Sequence, residues 1–310
     1  RLHGLMGFGD RTGDEHRESW APTLFSGSAT VPEVTEASKP GDKIELIRSL
    51  FGARSDVYAQ RWENPNTNKS GWSPAVRGAW STKPKDYLPL SDDVLAAHLR
   101  GDVTIGIYPL LHGDTCMLLA CDFDDGSWAL DALALLDQCH ANGVPAVLER
   151  SRSGDGAHVW VFFDQPVAAT AARAMGMGLL RQAMAMRAEL DLASYDRFFP
   201  SQDFMPKGSF GNLIALPLHG ERAAHGTTVF LDPTSMNPWP DQWAFLSGVS
   251  RMSPDAVVAL ADAVRPITAG PTMSLADFMV ISTVGGLLAS FVVLAIALLL
   301  AGGSVRHGWD

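Results

Sequence analysis

The stretch from Thr104 to Leu218 constrains this chain most, because its apolar residues switch repeatedly between two spacings. Thr104–Leu110 (TIGIYPL) and Cys116–Phe123 (CMLLACDF) are short apolar runs with β-branched or aromatic residues, so they predict strands. Trp128–His140 sets Leu130, Leu133, Leu135 and Leu136 at helical spacing. Val144–Leu148 and His158–Phe163 return to strand character, Ala168–Leu190 predicts a long helix of Ala, Met and Leu, and Asn212–Leu218 predicts a last strong strand. This succession predicts an α+β fold, a mixed sheet backed by helices. Upstream, Ile44, Ile47, Leu50 and Phe51 predict one short helix and Asp92–Leu99 another. Between them Trp62–Leu88, dense in Asn, Lys, Gly, Pro and Trp, reads as a loop.

The two ends differ from this centre. Residues 1–41 are polar and lack a sustained apolar period, which predicts a flexible arm ahead of a globular domain spanning 42–265. The chain opens with Arg1 rather than Met, as expected of a fragment or a processed product. Phe278 to Ala301 is 24 consecutive residues without a charge. As a helix they would reach about 36 Å, more than the roughly 30 Å of a hydrocarbon core. Residues 275–303 are therefore a candidate transmembrane helix, with a buried core helix or an unrelated fused segment as the alternatives. Arg265, Asp277 and Arg306 are too few to orient a span.

Charge narrows the function. Lys and Arg number 24 against 34 Asp and Glu, a net charge of −10. A protein that coats nucleic acid by bulk positive charge is excluded, and any nucleic-acid contact must be local. The deepest negative window is 113–139, where Asp114, Asp122, Asp124, Asp125, Asp131 and Asp137 stand without a Lys or Arg. Such a cluster is either a solvated face or a site for a divalent cation. Cys116, Cys121 and Cys139 are too few for a disulfide framework or a zinc ribbon and point to a reducing compartment, hence a cytoplasmic domain.

Three constellations carry chemistry. Asp122-Phe123-Asp124 closes an apolar strand, and alternate strand residues share a face, so both carboxylates can reach one or two hard cations. A solvated turn has the same sequence. Arg150-Ser151-Arg152-Ser153-Gly154-Asp155-Gly156-Ala157-His158 joins two strands through a glycine turn that can offer N–H groups and arginines to a phosphate. A tight hairpin with incidental polar residues is its alternative. Tyr195-Asp196-Arg197-Phe198-Phe199-Pro200-Ser201-Gln202-Asp203 puts an acid into an aromatic strand, either paired, metal-bound or solvated.

In this order, D-x-D, S-G-x-G-x-H, an acid in Y-D-x-F-F-P-x-Q, and G-N-L-I-A-L-P-L, the motifs resemble the archaeo-eukaryotic primase superfamily. VYAQRWEN, KSGWSP, IGIYPLL, ERSRSGDGAHVWVFF and PDQWAFL resemble specifically the primase domain of TOTE conflict systems, over about residues 43–250. The resemblance implies a primase-type catalytic core of two α+β modules with an RNA-recognition-like sheet. It assigns Asp122, Asp124 and Asp196 to Mg²⁺ or Mn²⁺, with Asp203 as a weaker candidate for the third acid, and His158 to the incoming nucleotide. Arg152, Ser153, Gly154 and Lys207 are the further nucleotide contacts expected. Related sequences commonly carry a Cys-rich, zinc-binding insert before an F-L-P-L-like stretch, whereas here Ala79–Lys85 runs to Tyr87-Leu88-Pro89-Leu90 without a cysteine.

The implied activity is two-metal nucleotidyl transfer from nucleoside triphosphates on a single-stranded DNA template, a primase or primase-polymerase. Trp62, Trp72 and Trp80, within the basic stretch Arg61–Lys85, are candidates for stacking template bases or for packing. A separate helicase and a membrane are the further candidate partners. Two other readings stand beside it: a membrane-anchored, metal-dependent glycosyltransferase built on D-x-D, and a non-catalytic single-strand DNA-binding module.

Overall fold

The structure is a computed structural model that describes residues 34–124, 126–186 and 195–265. Its elements are α1 (Pro40–Leu50), β1 (Ala59–Asn64), β2 (Lys69–Pro74), α2 (Asp92–Arg100), β3 (Ile105–Ile107), β4 (Thr115–Asp124), α3 (Trp128–Ala141) and β5 (Val147–Arg150). Then come β6 (Gly156–Ala168), α4 (Ala169–Met186), β7 (Tyr195–Phe199), β8 (Ile214–Ala215), α5 (Gly220–Ala224), β9 (Val229–Leu231), α6 (Gln242–Ser247) and α7 (Pro254–Ala263). The chain divides into two compact units, and every described residue lies in the first, residues 1–265.

Local chemistry sets the boundaries. The Ser91 hydroxyl accepts the Val94 N–H to open α2, Asp92 and Asp93 sit in its first turn, and Gly101 closes it in the left-handed region. In α4, Ala172, Met175, Leu179 and Ala183 are buried at spacings of three and four, a stripe that packs on the sheet. Gly178 lets the segment after α7 approach α4: a Cβ there would stand 2.9 Å from the Val264 carbonyl oxygen.

Nine strands form two sheets among the described residues, in the orders β2-β1-β3-β8 and β7-β4-β6-β5-β9. Every pairing between named strands is antiparallel, which corrects the expected mixed sheet. The β4-α3-β5 crossover does run parallel, but β6 inserts between β4 and β5 and pairs with both. A strand order that skips a place cannot be seen in a pattern of strands and helices.

Strands β4 and β6 are apolar on both faces because both faces are covered. On one, Leu119, Cys121, Val159 and Val161 meet Leu135, Cys139, Met175 and Leu179 of α3 and α4. On the other, Phe51 just past α1 meets Trp160 and Phe162 edge-on, each at 5.2 Å between ring centres. The register places Ala120 opposite Trp160 and Asp122 opposite His158, so those polar residues extend the face that looks away from α3 and α4.

Four further expectations need correction. Trp62–Leu88 is not all loop, because β1 and β2 form a hairpin with Ala59 opposite Pro74 and Asn64 opposite Lys69. Most of the hairpin is exposed, so it lacks the apolar alternation that marks a half-buried strand. The folded domain starts before residue 42: Val34 is buried, the Glu36 N–H donates to Asp241 at 2.9 Å, and α1 begins at Pro40. Strand β5 begins at Val147 rather than Val144, beyond Pro145. The strong last strand reduces to Ile214–Ala215, because Pro217 offers no N–H and Leu218 takes a φ of +61°. The rest of the expected arm, the end of the Ala168–Leu190 helix and the 275–303 segment lie outside the described residues. Among the described residues no helix is long and apolar enough to cross a membrane.

Candidate active site

A cleft of about 580 Å³ is lined by residues of both sheets: Trp72 and Tyr108 with Ile214 and Ala215 on one side, the ends of β4, β6 and β7 on the other. Its volume is in the range of small-molecule sites. Asp122, Asp124, Ser151, Arg152, Ser153, His158, Asp196 and Arg197 all line it. Residues far apart in sequence thus share one concavity.

The acids arrive by register. Asp122 and Asp124 are i and i+2 on β4 and share a face, and β7 pairs with β4 alongside them, Arg197 opposite Asp122. One carboxylate oxygen each from Asp122, Asp124 and Asp196 lie within 4.8 Å of one another. Asp122 is 9% exposed, while Asp124 and Asp196 open to solvent. Three hard oxygen donors at this separation fit Mg²⁺ or Mn²⁺ and would not select a soft metal. Gly156 makes the approach possible, since a Cβ there would fall 2.5 Å from Asp124 Oδ1, 2.6 Å from the Phe123 carbonyl and 2.9 Å from Ser151 Oγ.

The window 113–139 contains no Lys or Arg, yet the fold supplies a cation. Arg197 on β7 is hydrogen-bonded to the Asp196 carboxylate at 2.6 Å. That bond, with the charges of Asp122 and Asp124, raises its pKa above the ordinary arginine value. A count by sequence window misses a counter-charge brought in by strand pairing.

At His158 the ring is held from both ends. Nδ1 lies 2.5 Å from Glu149 Oε2 and Nε2 lies 3.3 Å from Asp122 Oδ1. Burial opposes the charged imidazole, but the Glu149 carboxylate and then Asp122 outweigh it and push the pKa up to about 10. Trp160 Nε1 donates to the same Glu149 oxygen at 3.0 Å. Glu149 is a site residue that sequence reasoning misses, although a lone acid inside the apolar run VLER, beside a strand carrying His and Trp two apart, is an available signal.

A basic pole lies beside the acids, on the β5–β6 turn that carries Arg152. Ser151 Oγ and Ser153 Oγ are 3.0 Å apart, and Ser153 also accepts the Asp155 N–H. Burial, reinforced by the guanidiniums of Arg61 and Arg222, lowers the Arg152 pKa below the ordinary arginine value. Arg61 sits over the Trp72 ring at 5.8 Å and pairs with Glu63 at 3.1 Å.

Not every expected residue is here. Gly154 does not line the cleft; it turns the chain with a φ of +89° against Thr227. Lys207 stands in an exposed turn and is not among the cleft residues. Asp203 is bound by Arg173 of α4 and is not among the carboxylates that gather with Asp122 and Asp124. Trp62 and Trp80 are outside the cleft and exposed, Trp80 beneath Lys85 at 4.0 Å, while Trp72 faces it.

The model of the TOTE conflict system archaeo-eukaryotic primase domain matches residues 42–260. The chain belongs to this family. Among solved structures, the polymerase domain of Mycobacterium tuberculosis Ligase D, in complex with DNA, aligns at 18% identity with a TM-score of 0.36. That alignment covers 74% of this chain and 91% of the other. The primase-polymerase domain of cyanophage S-2L aligns at 18% identity with a TM-score of 0.28, covering 63% of this chain and 95% of the other. No curated protein matches the chain. Membership of the primase family does not favour the glycosyltransferase reading of Asp122 and Asp124 or the non-catalytic binding module.

Proposed function

We infer that this chain is a template-directed nucleotidyltransferase that joins nucleotides on single-stranded DNA, as a primase or primase-polymerase. The observation that carries this reading is the gathering of Asp122, Asp124, Asp196, His158, Arg152 and Ser153 around one cleft in a member of the primase family. A metal-dependent sugar transfer would use Asp122 and Asp124 but leaves His158, Asp196 and the basic pole without a task.

Asp122, Asp124 and Asp196 are the residues that would hold Mg²⁺ or Mn²⁺. Bound there, the cations supply activation of a 3′-hydroxyl and charge stabilisation of the transferring α-phosphate and leaving pyrophosphate. Arg197 neutralises Asp196 through their 2.6 Å ion pair. Arg152 and the two serine hydroxyls face the position of the triphosphate, where Arg can bind phosphate bidentately. His158 Nε2, 3.3 Å from Asp122 Oδ1, orients the triphosphate. Trp72 supplies a flat surface in the cleft, and Trp62 and Trp80 offer stacking positions for template bases outside it.

The test is incorporation of labelled nucleotide on a primed and an unprimed single-stranded template, with each metal and with ribo- and deoxyribonucleotides in turn. Template-dependent and metal-dependent product is expected. Turnover of a nucleotide sugar in place of a nucleoside triphosphate would overturn the reading.

A further inference from the structure

Glu149 is the most deeply buried carboxylate bordering the cleft region, 2% exposed, yet it does not line the cleft. Burying an ionised carboxylate is costly unless its lone pairs are used. Both of its donors come from β6: His158 Nδ1 at 2.5 Å and Trp160 Nε1 at 3.0 Å, and they meet the same oxygen, Oε2. The β5–β6 register places Glu149 directly opposite His158, and His158 and Trp160 share a strand face two residues apart. Trp160 is itself fixed, fully buried and stacked on Phe162 at 6.2 Å.

We propose that Glu149 is the positioning residue of this site, fixing the His158 ring so that Nε2 faces Asp122 and the cleft. An imidazole on a single side-chain torsion can turn its two nitrogens about; a carboxylate anchored from behind on one of them leaves only the other to the ligand. The anchor is held in turn by the Trp160 indole, so the orientation is set by the core and not by the nucleotide. Glu149 therefore acts through His158 and touches no reacting atom. The inference rests on the reading of His158 as a nucleotide contact.

Steady-state incorporation by the full chain tests it in a double-mutant cycle with Glu149→Leu, Glu149→Gln and His158→Ala. Glu149→Leu should raise the nucleotide KM by about tenfold and leave the Kd for single-stranded DNA unchanged, the size expected for losing a hydrogen bond to a charged group. Glu149→Gln, which keeps one acceptor oxygen, should recover part of that loss. On the His158→Ala background neither substitution should change KM further, because two residues acting through one contact are not additive. Trp160→Phe removes the indole that holds the anchor but spares the Glu149–His158 contact, and should raise KM by less than Glu149→Leu does. Multiplying effects of Glu149 and His158 substitutions, or a KM within twofold of the parent for Glu149→Leu, would overturn the proposal. If Glu149→Leu does not fold, Glu149→Gln and His158→Ala complete the same cycle. A wild-type chain without incorporation activity defeats the function and not this contact, which is then read by NMR of the ¹⁵N-histidine-labelled chain. An exchange-protected His158 ring N–H present in wild type and lost in the Glu149 variant supports the contact; an unchanged one overturns it.

Discussion

Gly156→Ala puts one methyl group into the narrowest part of the acidic site. Its Cβ would lie 2.5 Å from Asp124 Oδ1 and 2.6 Å from the Phe123 carbonyl. An ordinary contact starts at 3.4 Å, so the carboxylate must retreat by about 0.9 Å and the β4 backbone by about 0.8 Å. The side chain can rotate away, but the Phe123 carbonyl cannot without opening the β4–β6 pairing that aligns Asp122 with His158. A misplacement near 1 Å costs a catalytic arrangement about 10²-fold. A loss of roughly 30- to 100-fold in kcat is therefore expected, with a stability loss of only about 1–3 kcal/mol for overpacking. Gly41→Ala is the control, because a Cβ there meets nothing within 4 Å. Steady-state incorporation and thermal unfolding of both variants give the comparison. A folded Gly156→Ala protein with kcat within threefold of wild type would refute the reasoning.

Other expectations follow from the same geometry. Asp122→Asn, Asp124→Asn and Asp196→Asn should each lower incorporation by ~10³-fold or more without unfolding the chain, several kcal/mol of transition-state stabilisation being lost; activity within a few-fold for Asp196→Asn would return the third acid to question. Arg152→Ala should raise the nucleotide KM about tenfold with little effect on template Kd; an effect confined to DNA would show that the basic pole faces the template. His98 is fully buried, accepting the Ile105 N–H and donating to the Pro217 carbonyl, and burial lowers its pKa to about 4. A histidine held neutral in the fold but free to take a proton when unfolded stabilises fully above about pH 6.5 and loses that stability as pH falls toward about 4. The slope is about 1.4 kcal/mol per pH unit and the total on the order of 3 kcal/mol. Urea unfolding at stepped pH should show that slope in wild type and a flatter one in His98→Gln; parallel curves would contradict it.

Whatever leaves a local pattern was legible in the sequence. The D-x-D at the end of an apolar run, the glycine turn ahead of His158 and the acid in YDRFF each marked an element and candidate site residues, and β4, β6 and β7 bring residues of all three into one cleft. Strand order was not legible, because β6 inserts between β4 and β5 through pairing that no period encodes. Nor was the counter-ion Arg197, which lies far along the chain from Asp122 and Asp124 and reaches them only because β7 pairs with β4. Glu149 was hidden for a related reason, since its partners His158 and Trp160 stand on the neighbouring strand and an acid in an apolar run shows nothing of what it faces. The β1–β2 hairpin escaped because its strands, mostly exposed or half-buried, carry no apolar alternation.

The measurement that bears most directly on the central claim is extension of a labelled primer on a single-stranded template by the full chain, titrated with Mn²⁺ and Mg²⁺ and compared with Asp122→Asn. Templated product that rises with metal in the wild type and is lost in the variant is the predicted result. Equal product from both proteins, or product independent of metal, would contradict the assignment of Asp122, Asp124 and Asp196 as the residues that hold the catalytic cations.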